Sequence, residues 1–132
     1  MPVNYKAIAK KLKFEGRAFI NGKYVNAIDG KKFETINPAT GEKLCTVAKC
    51  NHKDVDLAVK VSRKSFNSGV WSKSSPEHRK EVLIKFAELL RKTGEVNSVL
   101  ECVDTGKLIA DCLNEVANDA PMHFQWYGEL ID

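Results

Sequence analysis

No stretch of this 132-residue sequence approaches the run of about eighteen apolar residues that a membrane-spanning helix needs. Its opening, "MPVNYKAIAKKLKFEGRAF", lacks the apolar core of a secretory signal, and it is rich in Lys rather than in the Arg and Ser of a mitochondrial presequence. Among its cysteines, Cys45, Cys50, Cys102 and Cys112, there is no C-x-x-C pair, so the sequence does not point to a disulfide framework or a redox dithiol. They read as reduced thiols of a cytoplasmic protein. The sequence has no internal repeat and no low-complexity tract. Nor is charge of one sign concentrated: 21 Lys and Arg stand against 17 Asp and Glu, net +4. The basic residues are scattered apart from the "KKLK" run at 10–13, which argues against nucleic acid as a partner.

What is present is the balance of a globular domain, 43% hydrophobic and 29% charged. Tyr5, Ile8, Ala9 and Leu12 are spaced as one face of a short surface helix. In "RAFINGKYV", two β-prone runs flank Asn21-Gly22, a pair that accepts the positive φ values of a two-residue type I′ turn, so a hairpin is predicted. "KKFETINPATGEKLCTVA" repeats the logic, with 33–36 and 44–48 extended around the turn "NPATGE".

The period then changes. Val55, Ala58, Val59, Ser62 and Phe66 share a helical face, and Asn51 with Asp54 resembles a capping box; this helix should end near "NSGVW". Ser75-Pro76-Glu77 supplies an N-cap, a first-turn proline and an early acid for the next helix. Its stripe runs through Val82, Leu83, Phe86, Ala87 and Leu90, then resumes as Val96, Val99, Leu100 and Val103. Gly94 between them predicts a kink or break, because glycine inside a helix costs about 1 kcal/mol relative to alanine. A third pattern runs from Ile109 to Ile131. Pro121 interrupts it and predicts a kink or a helix start near Asp119. No strand follows the helices, so the fold class is α+β: two hairpins, then about three helices. The pattern is still amphipathic near residue 132 and reads like the opening of something larger.

Candidate chemistry is sparse. Cys50 and His52 form a C-x-H pair with no orienting acid and no oxyanion donors, and C-x4-C with one histidine falls short of a zinc site. His78 and His123 read as helix-surface residues, Cys102 and Cys112 as small core residues, and Trp71, Trp126 and Tyr127 as packing.

"FINGKYV", "FETINPATGE", "DVDLAVKVSRKSFNSGVWSKSSPEHRKEVLIKFAELL", "LECVDTGK" and "WYGELID" occur in an order and spacing that resemble the amino-terminal segment of the NAD(P)-dependent aldehyde dehydrogenase superfamily. Within it, the sequence most resembles the enzymes oxidising γ-glutamyl-γ-aminobutyraldehyde and related amino aldehydes. The resemblance covers about 17–132 and implies an extension at 1–16 followed by the outer part of an α/β Rossmann-like coenzyme-binding domain. It also implies that the parallel sheet, the glycine-rich phosphate turn and the catalytic Cys, Glu and Asn lie outside these residues. The complete enzyme would take an aldehyde and NAD or NADP, and would be a homo-oligomer. This chain alone would be inactive, or a non-catalytic remnant that docks on a complete relative or on itself.

The resemblance further assigns Asp104, with the backbone oxygens of Thr35 and Ile36, to a possible monovalent cation site. A hard cation wants such oxygens, and a helix C-terminus adds partly negative carbonyls. The alternative is that Asp104 serves the helix-ending turn, with Gly106 in the left-handed conformation. Asp119 falls where some amino-aldehyde-oxidising relatives carry an acid at the mouth of the substrate tunnel; it could equally be a solvated acid or an N-cap. Leu108 replaces the proline usual after the family's "TGK".

Overall fold

The structure is a computed structural model and describes residues 3–132. The first two residues of the expected extension therefore lie outside the described residues. The chain forms two compact units: 1–13, 37–40 and 74–132 make the first, and 14–36 with 41–73 the second.

The second unit holds two separate antiparallel hairpins and a helix. β1 (Ala18–Ile20) pairs with β2 (Lys23–Val25) across Asn21-Gly22, whose φ values of 56° and 75° make the predicted type I′ turn. Phe19 faces Tyr24 across the strands, with ring centroids 5.1 Å apart. β3 (Lys32–Ile36) pairs with β4 (Lys43–Ala48), and a bulge lets Ile36 oppose Lys43, leaving Leu44 as the extra residue. α2 (His52–Ser68) begins at the predicted capping box: the Asn51 side chain accepts from the Lys53 N–H, while Asp54 accepts from the Asn51 N–H at 2.8 Å. The second oxygen of Asp54 accepts from the Ile28 N–H at 2.8 Å, which ties the helix start to the segment after β2. That bond lies 26 residues away in sequence and explains why this carboxylate is buried. Gly69 closes the helix in the left-handed conformation, within the expected "NSGVW".

The first unit is helical. α1 (Tyr5–Ala9) is the predicted short helix, capped by Asn4, whose oxygen accepts from the Ala7 N–H. α3 (Pro76–Thr105) starts on Ser75 with Pro76 in its first turn, as expected. It then runs unbroken through Gly94, which corrects the predicted break. The reason is tertiary. Gly94 is buried, and a Cβ on it would lie 2.8 Å from the Ala117 Cβ; the glycine lets two helical segments approach rather than ending one.

After α3 come α4 (Ile109–Cys112), a π-helical segment (Leu113–Asp119) and α5 (Ala120–Glu129). The predicted helix start near Asp119 is thus found, but the π segment before it was not anticipated. Its last bond runs from the Ala120 N–H to the Glu115 carbonyl, five residues back. The next donor in that pattern would be Pro121, which has none, so the chain returns to α geometry there. Buried Ser98 joins α3 to α4: its hydroxyl lies 2.7 Å from the Gly94 carbonyl and 3.1 Å from that of Cys112. At the far end, Lys80 bridges Glu129 and Asp132.

Candidate functional site

The best-defined functional candidate is the end of α3, "ECVDTGK". Its local chemistry is a closed C-terminal turn. Gly106 takes φ 77° and ψ 8°, and its N–H donates to the Cys102 carbonyl at 3.0 Å; an L side chain there would strain the backbone. The Thr105 hydroxyl donates to the Glu101 carbonyl at 2.7 Å, while the Lys107 N–H donates to Thr105 Oγ1. Lys107 Nζ pairs with Glu115, an interaction that raises the lysine's pKa and links the turn to the π segment. Asp104 is exposed on this last helical turn. The expectation that Gly106 is left-handed therefore holds.

A second motif meets this turn. In "NPAT", Asn37 folds back as an Asx turn, its Oδ1 accepting from the Ala39 N–H at 2.9 Å and its carbonyl from the Thr40 N–H. Pro38 of this turn packs on Gly106 so closely that a Cβ at Gly106 would lie 2.8 Å from the proline Cγ. Two motifs some seventy residues apart thus share one unit. Thr35 and Ile36 precede the turn at the end of β3. Thr35 is half-buried opposite Cys45, and Ile36 is exposed at the bulge. Both belong to the other unit from Asp104.

Asp119 is exposed at the end of the π segment, its φ −70° and ψ −46° are helical, and its side chain makes no capping hydrogen bond. It is a solvated acid rather than an N-cap. In the same unit, Arg91 donates to Gln125 Oε1 at 2.5 Å, and Arg91, Glu95, Leu113, Ala117 and Asn118 line a shallow polar cleft.

Burial pushes the Cys112 thiol up, so it is held protonated and a poor nucleophile. Cys50 is exposed just past β4, and no hydrogen bond joins it to His52. Among the described residues, no three His, Cys, Asp or Glu side chains gather as metal ligands. At the start of α2 the Lys53 N–H is taken by the Asn51 side chain, and at the start of α3 the His78 N–H is taken by Ser75. Trp126 and Tyr127, read from the sequence as packing residues, meet edge to face with ring centroids 5.0 Å apart and are 55% and 60% exposed.

Comparison with known proteins gives this geometry its context. A family model described as "Aldehyde dehydrogenase family" matches residues 24–132. The aminoacetaldehyde dehydrogenase of Pseudomonas aeruginosa is 40% identical over 128 residues, which is 97% of this chain and 26% of that protein. The solved structure of a γ-glutamyl-γ-aminobutyraldehyde dehydrogenase from Burkholderia cenocepacia superposes with a TM-score of 0.92 at 38% identity, covering 97% of this chain and 26% of that one. The P. syringae indole-3-acetaldehyde dehydrogenase AldA, as a mutant in complex with NAD+ and IAA, matches with the same TM-score and coverage at 41% identity. The chain spans about a quarter of the length of the curated relatives it matches.

Proposed function

This chain belongs to the aldehyde dehydrogenase family, and from that premise we propose that it is the amino-terminal part of an oxidoreductase that converts an aldehyde to a carboxylic acid with NAD(P)+. The observation that carries this reading is the superposition at TM-score 0.92 over 97% of the chain on only 26% of complete relatives. Such oxidation needs an activated thiolate, donors aimed at the developing oxyanion, and a nicotinamide within hydride reach. In this reading those groups belong to the rest of the complete enzyme, and the chain by itself is inert. Residues 17–132 then form the outer part of a coenzyme-binding domain whose complete enzyme is a homo-oligomer.

An amino aldehyde is the favoured substrate class, because two of the similar proteins are named for aminoacetaldehyde and γ-glutamyl-γ-aminobutyraldehyde. In this reading Asp119 attracts the substrate's ammonium group. Asp104 is the side-chain oxygen ligand of a monovalent cation.

The test is a graft in which this chain replaces the matching quarter of the P. aeruginosa aminoacetaldehyde dehydrogenase. Aldehyde-dependent NAD(P)H formation is expected from the graft and not from the isolated chain. Turnover by the isolated chain, or a soluble but inactive graft, would sink the proposal. In the active graft, Asp119→Asn should raise KM for aminoacetaldehyde more than for propanal, and Asp104→Ala should abolish any dependence of the melting temperature on potassium or sodium.

A further inference from the structure

α2 divides into three sectors around its axis. Lys53, Asp56, Lys60 and Lys64 make a charged side. Asp54, bonded to the Ile28 N–H, and half-buried Val61 mark the side turned towards the helix's own unit. The third sector, roughly 100° of rotation from the second, carries Val55, Val59, Ser62 and Phe66. Here the apolar side chains are outside: Val55 is 56% exposed, Val59 62% and Phe66 61%. Arg63 lies at the edge with its guanidinium carbon 5.6 Å from the Phe66 ring, beside an open hollow lined by Ala58, Val59 and Ser62.

Most of a helix's stability in a protein comes from packing its apolar face, and α2 leaves its most apolar sector unpacked. The matching structures share the same fold over 97% of this chain and continue for the other three quarters of their length. From this we infer that the Val55–Val59–Phe66 stripe of α2 is an interface for the polypeptide that family chains carry beyond this matched quarter. The inference rests on the reading proposed above and adds which surface makes the contact. The occupant is apolar where it meets Val59, because a charge placed there would be buried without a partner.

The experiment compares Val59→Glu and Val59→Leu in two settings. In the isolated chain, Val59→Glu should leave the melting temperature within about 1 °C of the unsubstituted protein, as for an exposed site. In the graft, the same change should reduce recovered soluble activity by about tenfold or more, while Val59→Leu retains it. Equal activity of the Val59→Glu and unsubstituted grafts overturns the interface. So does a lowered melting temperature of the isolated chain, which would place the stripe inside this chain. Self-association of the isolated chain that Val59→Glu abolishes, with the graft unaffected, overturns it in favour of a second copy. An unsubstituted graft that makes no NAD(P)H fails at the earlier step and removes the premise.

Discussion

At Gly94 two residue-level effects oppose one another. Alanine would gain about 1 kcal/mol of helix propensity over glycine, but its methyl would meet the Ala117 Cβ at 2.8 Å and the Ala117 Cα at 3.0 Å. Overpacking of this kind costs about 1–3 kcal/mol, and the clash is with a short side chain and backbone that cannot swing away. Gly94→Ala should therefore lower stability in chemical denaturation, and Ala117→Gly in the same chain should restore part of the loss. A more stable Gly94→Ala would show that the propensity term wins. Glu15 offers a different test. Two side-chain bonds with Arg17, at 2.8 and 2.6 Å, and one from the Arg17 backbone N–H hold its carboxyl at about 2. Its pKa is depressed, so the pair is complete above the ordinary carboxylate range and is lost only as pH falls through about 2. The group is solvent-facing, so the pair is a local ordering device rather than a source of stability. Titration followed by NMR should give a Glu15 midpoint near 2, returning towards 4.5 in Arg17→Ala. An unchanged midpoint in that variant would assign the shift elsewhere.

At the scale of elements, the turn between α3 and α4 shows a local sequence departure that leaves the backbone intact. Leu108 has φ −62°, the value that proline's ring would impose, with ψ 137°, and it is 72% exposed. Leu108→Pro should consequently stabilise the first unit by about 0.4–1 kcal/mol, by restricting the unfolded chain. A lower denaturation midpoint would mean that the Leu108 N–H or side chain has a role the turn geometry does not reveal. The π segment is the element that periodicity concealed. Seven residues of wider helix keep Ala117 against Gly94 before Pro121 resets the geometry, and an apolar period read at 3.6 residues per turn blurs that change rather than marking it.

For the whole molecule, the balance of covered and uncovered apolar surface is decisive. Its accessible surface is 9705 Å², whereas two separate compact bodies of the sizes of its units would expose about 8,400 Å². Among the described residues, the buried apolar side chains are those of Ala27, Ala87, Val99, Cys112 and Pro121, none of them large, while Phe19, Phe66, Trp126 and Leu130 stand more than half exposed. Surfaces of that kind mark interfaces or aggregation liabilities. The isolated chain should enhance the fluorescence of an apolar dye at neutral pH while its far-ultraviolet dichroism remains helical, and should self-associate as concentration rises. A dye-silent monomer at high concentration would show that these side chains are covered in solution. Among the described residues, no helix is long and apolar enough to cross a membrane.

The sequence by itself determined that two hairpins precede the helices, the type I′ turn at Asn21-Gly22, the caps at Asn51 and Ser75, the left-handed Gly106 and the family motifs. All of these rest on interactions within about four residues, where side-chain type and spacing are sufficient. Only the tertiary structure decided that Gly94 joins helices instead of breaking one, and that Asp54 reaches Ile28 as well as its own cap. Likewise, Pro38 seats on Gly106, and the stripe of α2 points outward. Each of those outcomes depends on what stands opposite a residue, and a neighbour dozens of positions away leaves no imprint on local periodicity.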